Sequence, residues 1–175
     1  MSFLLVRPGE ARQRLKEVTR RNVFSLLDEE ERPWQKSYLV MYSTQWRGYT
    51  ADPALMTVPL DDHLVHRGDG VFDTFRCIRG RIYQLEQHLA RLERSAGAIS
   101  LPMPAAYGRV REIVKELVVL GREKDCVVRI TLSRGPGSFS PNPFDCPATQ
   151  MYVIVLRYKG VPAEVVREGT SVMTS

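Results

Sequence analysis

Apolar side chains recur along this chain with two periods, and the change from one period to the other outlines its elements. Positions 71–78 alternate loosely between apolar or β-branched and polar residues, which predicts a strand. Arg79-Gly80 then forms a two-residue hairpin turn, with a return strand over 81–85. From there the spacing lengthens. Leu85, Leu89, Leu92, Ala96 and Ile99 lie on one stripe of a helix over 86–99, which Pro102 and Pro104 end. Tyr107, Val110, Ile113, Val114 and Leu117 mark a second helix over 104–120, with Gly121 as its stop.

Strands are also expected at 37–44, 49–51, 55–59, 125–133 and 151–158, with a last short one near 163–167. Asp61-Asp62-His63-Leu64-Val65 reads as a turn of helix opened by an aspartate, where the helix dipole favours negative charge. Residues 138–149 are irregular and proline-rich. Residues 9–31 read as an amphipathic helix, with Leu15, Val18, Asn22 and Leu26 near one face and Pro33 just beyond it. Hairpin-linked strands around two helices predict an α+β fold, a mainly antiparallel sheet packed on two helices, rather than a doubly wound parallel sheet.

Composition narrows the function classes. The chain has 175 residues with 43% hydrophobic and 26% charged content, ordinary values for a globular domain. Its formal charge of +5 comes mostly from arginines scattered among glutamates, which argues against nucleic acid as a partner. No apolar run approaches a membrane span, so no membrane partner is expected. Cys77, Cys126 and Cys146 are an odd count without Cys-x-x-Cys spacing. Together with His63, His66 and His88 they make no metal-ligand pattern, and they fit a reducing cytoplasm.

Four places carry candidate chemistry. Gly68-Asp69-Gly70 matches no nucleotide-binding glycine motif. It is either a tight turn or a place where backbone approaches a flat ligand closely. Arg91 and Arg94 lie off the apolar stripe of their helix, as surface arginines or as anion ligands; Arg91 gains weight from the glycine turn upstream. Arg134 opens a stiff Gly-Pro-Gly loop, which is a plain connection or a holder of a substrate carboxylate. Cys77 has arginine neighbours, but no histidine pairing supports a nucleophile, so a buried inert thiol is the reading.

The stretch from Asp61 to Arg76, followed by Gln84 to Leu92, resembles the class-IV, or fold-type IV, pyridoxal-phosphate aminotransferases. These include D-amino acid and branched-chain aminotransferases and aminodeoxychorismate lyases. The similarity runs over about residues 38–175, in the order glycine turn, hairpin, arginine helix, Ser-Arg-Gly loop. It implies an amino acid aminotransferase using pyridoxal 5'-phosphate, amino acid and 2-oxo acid substrates, and a homodimer. Aminodeoxychorismate lyase and a non-catalytic dimerisation or binding module are the alternatives.

By the same resemblance Arg91 binds the cofactor phosphate. Phe72 stands near the substrate, Arg134 lies where some members hold a carboxylate, and Arg67 sits at the entry to the glycine turn. The family's Schiff-base lysine has no counterpart among Lys16, Lys36, Lys115, Lys124 and Lys159 and is expected beyond Ser175, so no catalytic residue is assigned here. The expected organisation is a helical extension over 1–36, the small aminotransferase domain over 37–160, and the start of a truncated second domain over 161–175. Such a chain is expected to be inactive alone and to leave apolar surface exposed.

Overall fold

The computed structural model describes residues 16–29 and 32–173. The chain divides into two units, Met1–Arg32 and Pro33–Ser175. In the first, α1 (Val23–Glu29) is the one helix among the described residues. The helix expected over 9–31 is therefore shorter where described, and residues 9–15, 30 and 31 lie outside the described residues. Over 16–22 local polar bonds replace helix. Asn22 Oδ1 accepts from the Thr19 amide at 2.8 Å, and its Nδ2 donates to the Glu17 carbonyl at 3.2 Å. Such side-chain bonds compete with the helical ladder.

The second unit is built on six strands: β1 (Tyr38–Ser43), β2 (Gly48–Thr50), β3 (Gly70–Ile78), β4 (Arg81–Ile82), β5 (Cys126–Ser133) and β6 (Gln150–Arg157). They form one sheet in the order β2-β1-β6-β5-β3-β4, with every pair antiparallel. Among the described residues four α-helices accompany it: α2 (His63–Arg67), α3 (Leu85–Ala98), α4 (Val110–Leu120) and α5 (Ala163–Glu168). The α+β expectation holds, with α3 and α4 as the two packing helices.

Register explains the core. Phe75 opposes Val128, Val128 opposes Val155, and Val155 opposes Val40, so one row of apolar side chains crosses four strands on one face. Leu89, Leu92 and Ala96 of α3 and Val110, Val114 and Leu117 of α4 cover that face and are buried with it. The other face alternates out of phase, and on β3 it carries Phe72, Thr74, Arg76 and Ile78, all exposed.

The hairpin at Arg79-Gly80 forms as expected, with both residues at positive φ (51° and 77°), the pairing that matches strand twist. Its return strand is only two residues long because Gln84 adopts a left-handed conformation (φ 46°), and α3 starts at once. The expected strand over 55–59 is absent. Asp52 caps a single 3-10 turn at Pro53–Leu55 instead, accepting from the Ala54 amide at 2.9 Å. The strand expected at 163–167 is helix α5. Pro162 precedes it, and Glu164 in the first turn and Arg167 in the last complement the helix dipole, outweighing the β preference of two valines.

Candidate functional site

The glycine turn sits between α2 and β3, and its geometry follows from its residues. Asp62 caps α2 by accepting from the Leu64 amide at 2.9 Å. The same buried carboxylate accepts from the Tyr152 hydroxyl at 2.9 Å and from Ser133 Oγ, tying α2 to β5 and β6. Gly68 ends α2 at φ 68°, where a residue with Cβ is strained. At Gly70 an added Cβ would meet the Leu132 carbonyl oxygen at 2.6 Å and Leu64 Cδ1 at 2.7 Å. The close approach expected of this glycine is thus made to the chain's own β5 and α2.

Asp69, between the two glycines, holds Arg134 side-on, through Nε at 2.9 Å and one Nη at 3.0 Å. The same Nη also donates to the Ile99 carbonyl at 3.0 Å, and the other Nη to the Ser100 carbonyl at 2.8 Å, just beyond α3. The arginine expected at a substrate carboxylate is therefore occupied within the chain, and its side chain is 13% exposed. Arg67 is exposed and donates to the Phe139 carbonyl at 3.3 Å, joining the turn to the loop after β5.

Arg91 and Phe72 lie on opposite sides of β3. Phe72 is exposed on the face away from α3, with the Arg129 guanidinium 3.7 Å from its ring centre. Arg91, on α3, meets Asp73 on the helix side. Its Nε and one Nη each donate to that carboxylate at 2.6 Å. His88 Nδ1 lies 2.9 Å from the same carboxylate, and the ring packs on Phe75 with centres 5.2 Å apart. Asp73 is buried, whereas the Arg91 side chain stays 58% exposed.

Burial pushes the Asp73 carboxyl up, but the hydrogen bonds from Arg91 and His88 and their charges outweigh it, leaving it below its ordinary 3.8. A carboxyl depressed on folding adds stability that is present above its unfolded value, about pH 4, and is lost as pH falls through the folded value. The stability gap between wild type and Asp73→Asn is therefore expected to narrow as pH drops from 7 to 3 in urea denaturation. A gap independent of pH would contradict this.

Cys77 is buried opposite Cys126 across the β3–β5 ladder. Burial, then the neighbouring Cys77, pushes the Cys126 thiol up to about 12, away from the reactive thiolate. All five lysines are exposed. A cleft of about 600 Å³ opens between Tyr42, Pro104, Ala106, Phe144 and Pro147. Of the predicted site residues only Arg134 reaches it. No metal-ligating cluster exists among the described residues.

The pairing of Asp73 and His88 with Arg91, and the stacking of Arg129 on Phe72, escaped the reading of the sequence. A carboxylate at a core-facing position of an alternating strand is a signal that a partner must exist; the identity of that partner is not local information.

Comparison with known proteins places this arrangement. The family model for amino-transferase class IV matches residues 70–174. A D-amino-acid transaminase, chloroplastic, from Arabidopsis thaliana is 43% identical over 122 residues, covering 70% of this chain and 33% of the relative. A fold IV-transaminase from Curtobacterium pusillum superposes with a TM-score of 0.58 at 26% identity, over 74% of this chain and 45% of that one. A hypothetical aminotransferase from Mycobacterium tuberculosis, in a PLP-bound form, gives 0.56 at 29% identity, over 73% and 42%. The chain thus spans a third to under a half of the length of these relatives. With a matching family model over most of the sheet and both packing helices, the chain belongs to the class IV amino-transferases.

Proposed function

We propose that residues 1–175 are the part of a pyridoxal-phosphate-dependent amino acid aminotransferase that supplies the cofactor's phosphate anchor and one wall of the substrate site. The observation that carries this reading is Arg91. Its Nε and one Nη are fixed by Asp73 while its side chain stays 58% exposed, and the other Nη has no hydrogen bond to a described residue. A guanidinium so held offers fixed, directed N–H donors to a phosphate monoester. These residues therefore fit the group. When bound, pyridoxal phosphate supplies an electron-withdrawing ring that stabilises negative charge at the substrate Cα.

The chain's own residues orient rather than react. Phe72, with Arg129 stacked on it, offers an aromatic surface at the open sheet face. Arg67 and Arg134 hold the glycine turn and the following loop in place through Phe139 and Asp69. The proton-transferring lysine belongs, in this reading, to a segment outside residues 1–175, because the five lysines present are all exposed. Exposed apolar side chains such as Phe144 and Val119 support a homodimer. The three free cysteines suit a reducing compartment such as the cytoplasm.

The assay that tests this compares transfer from D-alanine, L-leucine and L-alanine to 2-oxoglutarate by the full-length protein. Transfer dependent on the 2-oxo acid supports the aminotransferase, with D-alanine expected to be preferred. Release of aminobenzoate from aminodeoxychorismate without 2-oxo acid dependence would assign it to the lyases instead. Residues 1–175 alone are expected to give neither reaction.

A further inference from the structure

The carboxylate of Asp73 stands beside a guanidinium that the proposed function assigns to an anion. On charge alone this is the wrong residue in that place, because it neutralises Arg91 and repels a phosphate. Its presence calls for a different role. Asp73 is buried on the helix side of β3 and holds Nε and one Nη of Arg91 at 2.6 Å each. A side-on pair of this kind fixes the plane and rotation of the guanidinium.

His88 completes the arrangement. It lies one helical turn before Arg91 on α3, and its Nδ1 is 2.9 Å from the Asp73 oxygen that also accepts from Arg91. With the proton on Nδ1 the imidazole donates to Asp73, so one carboxylate oxygen takes two donors. The 3.2 Å between Nδ1 and the Arg91 nitrogen is then the spacing of two donors sharing one acceptor. Phe75 packs against the His88 ring and keeps it there. The guanidinium is thereby ordered before any anion arrives, and the rotamer freedom an arginine gives up on binding has already been lost in folding.

We propose that Asp73 is a positioning residue for the phosphate-binding guanidinium of Arg91, and that His88 holds Asp73 in the orientation this requires. The proposal rests on the reading that Arg91 binds the cofactor phosphate. It makes a prediction opposite to that of simple electrostatics. Asp73→Asn raises the local positive charge, so a charge account expects tighter phosphate binding. The positioning account expects weaker binding.

The test measures dissociation constants of the full-length protein for pyridoxal 5'-phosphate and, in parallel, for pyridoxal, which lacks the phosphate. Asp73→Asn is expected to weaken the phosphate form about tenfold while changing pyridoxal less than about twofold. His88→Ala is expected to weaken it by a smaller factor. His88→Asn, which returns an N–H donor near the Nδ1 position, is expected to restore it. In an Arg91→Ala background, Asp73→Asn should cause no further loss. Equal or tighter phosphate binding by Asp73→Asn overturns the proposal, as does an equal loss for both ligands. If Asp73→Asn does not fold, the His88→Ala and His88→Asn pair decides, and equal affinities for the two overturn the proposal. Arg91→Ala that retains the phosphate form at wild-type affinity overturns the underlying assignment of Arg91 itself.

Discussion

Arg91→Ala is expected to lower the affinity of the full-length protein for pyridoxal 5'-phosphate by about 10- to 100-fold, the range for losing charged hydrogen bonds to an anion. The loss has two parts. The donors facing the phosphate disappear, and the Asp73 carboxylate is left buried beside the site with only His88 as partner. A buried carboxylate that has lost its guanidinium also repels the incoming anion. Arg91→Lys is expected to recover little. A single ammonium cannot hold both Asp73 oxygens and present a further donor in the same plane. Equilibrium dialysis checks both variants, and a lysine variant with wild-type affinity would show that charge alone suffices.

Gly135→Ala is expected to destabilise the domain by roughly 3 kcal/mol or more, the range of severe backbone strain combined with a steric clash. Gly135 has φ 101°, and an added Cβ would drive into the Ala148 carbonyl oxygen, which is backbone and cannot turn aside. Its own groups are engaged as well. Its amide donates to Ser133 Oγ at 3.0 Å, and its carbonyl accepts from the His63 amide at 3.1 Å. Displacing it therefore disturbs the buried Asp62 cluster and the adjoining Arg134 clamp together. Gly80→Asn is the control. Gly80 has φ 77° but open space around it, and asparagine tolerates that conformation, so the cost is expected to stay under about 1 kcal/mol. Urea midpoints measure both variants, and similar midpoints would contradict the steric argument.

What could be read from the chain alone divides along a physical line. β3, β5, β6, α3 and the Arg79-Gly80 turn were legible because each has a period, or a dipeptide, that only one local structure accommodates. The 3-10 turn at Pro53–Leu55 and helix α5 were not. In both, a cap or a preceding proline outweighs side-chain propensity over a few residues. The family was legible from the run of motifs. The condition of the arginines was not, because it depends on partners distant in sequence. Arg134 finds Asp69 across 65 positions, and Arg91 finds Asp73 across 18. The glycine turn illustrates the same limit. Two glycines announced a close approach, but only the register of β3 on β5 shows that Gly70 closes on the Leu132 carbonyl.

These contacts share one logic. Asp62, Asp69 and Asp73 each fix one neighbouring element or cation, so the turn, the loop after β5 and the Arg91 side chain are all set by carboxylates from one short stretch. The fold thereby presents a pre-oriented guanidinium on one side of β3 and an arginine-stacked phenylalanine on the other.

The most direct test is a crystal structure of the full-length protein with pyridoxal 5'-phosphate bound. An Arg91 Nη is expected within hydrogen-bond distance of a phosphate oxygen, with Asp73 still bound to Nε. A phosphate held entirely by other groups, with Arg91 turned away from it, would contradict the account.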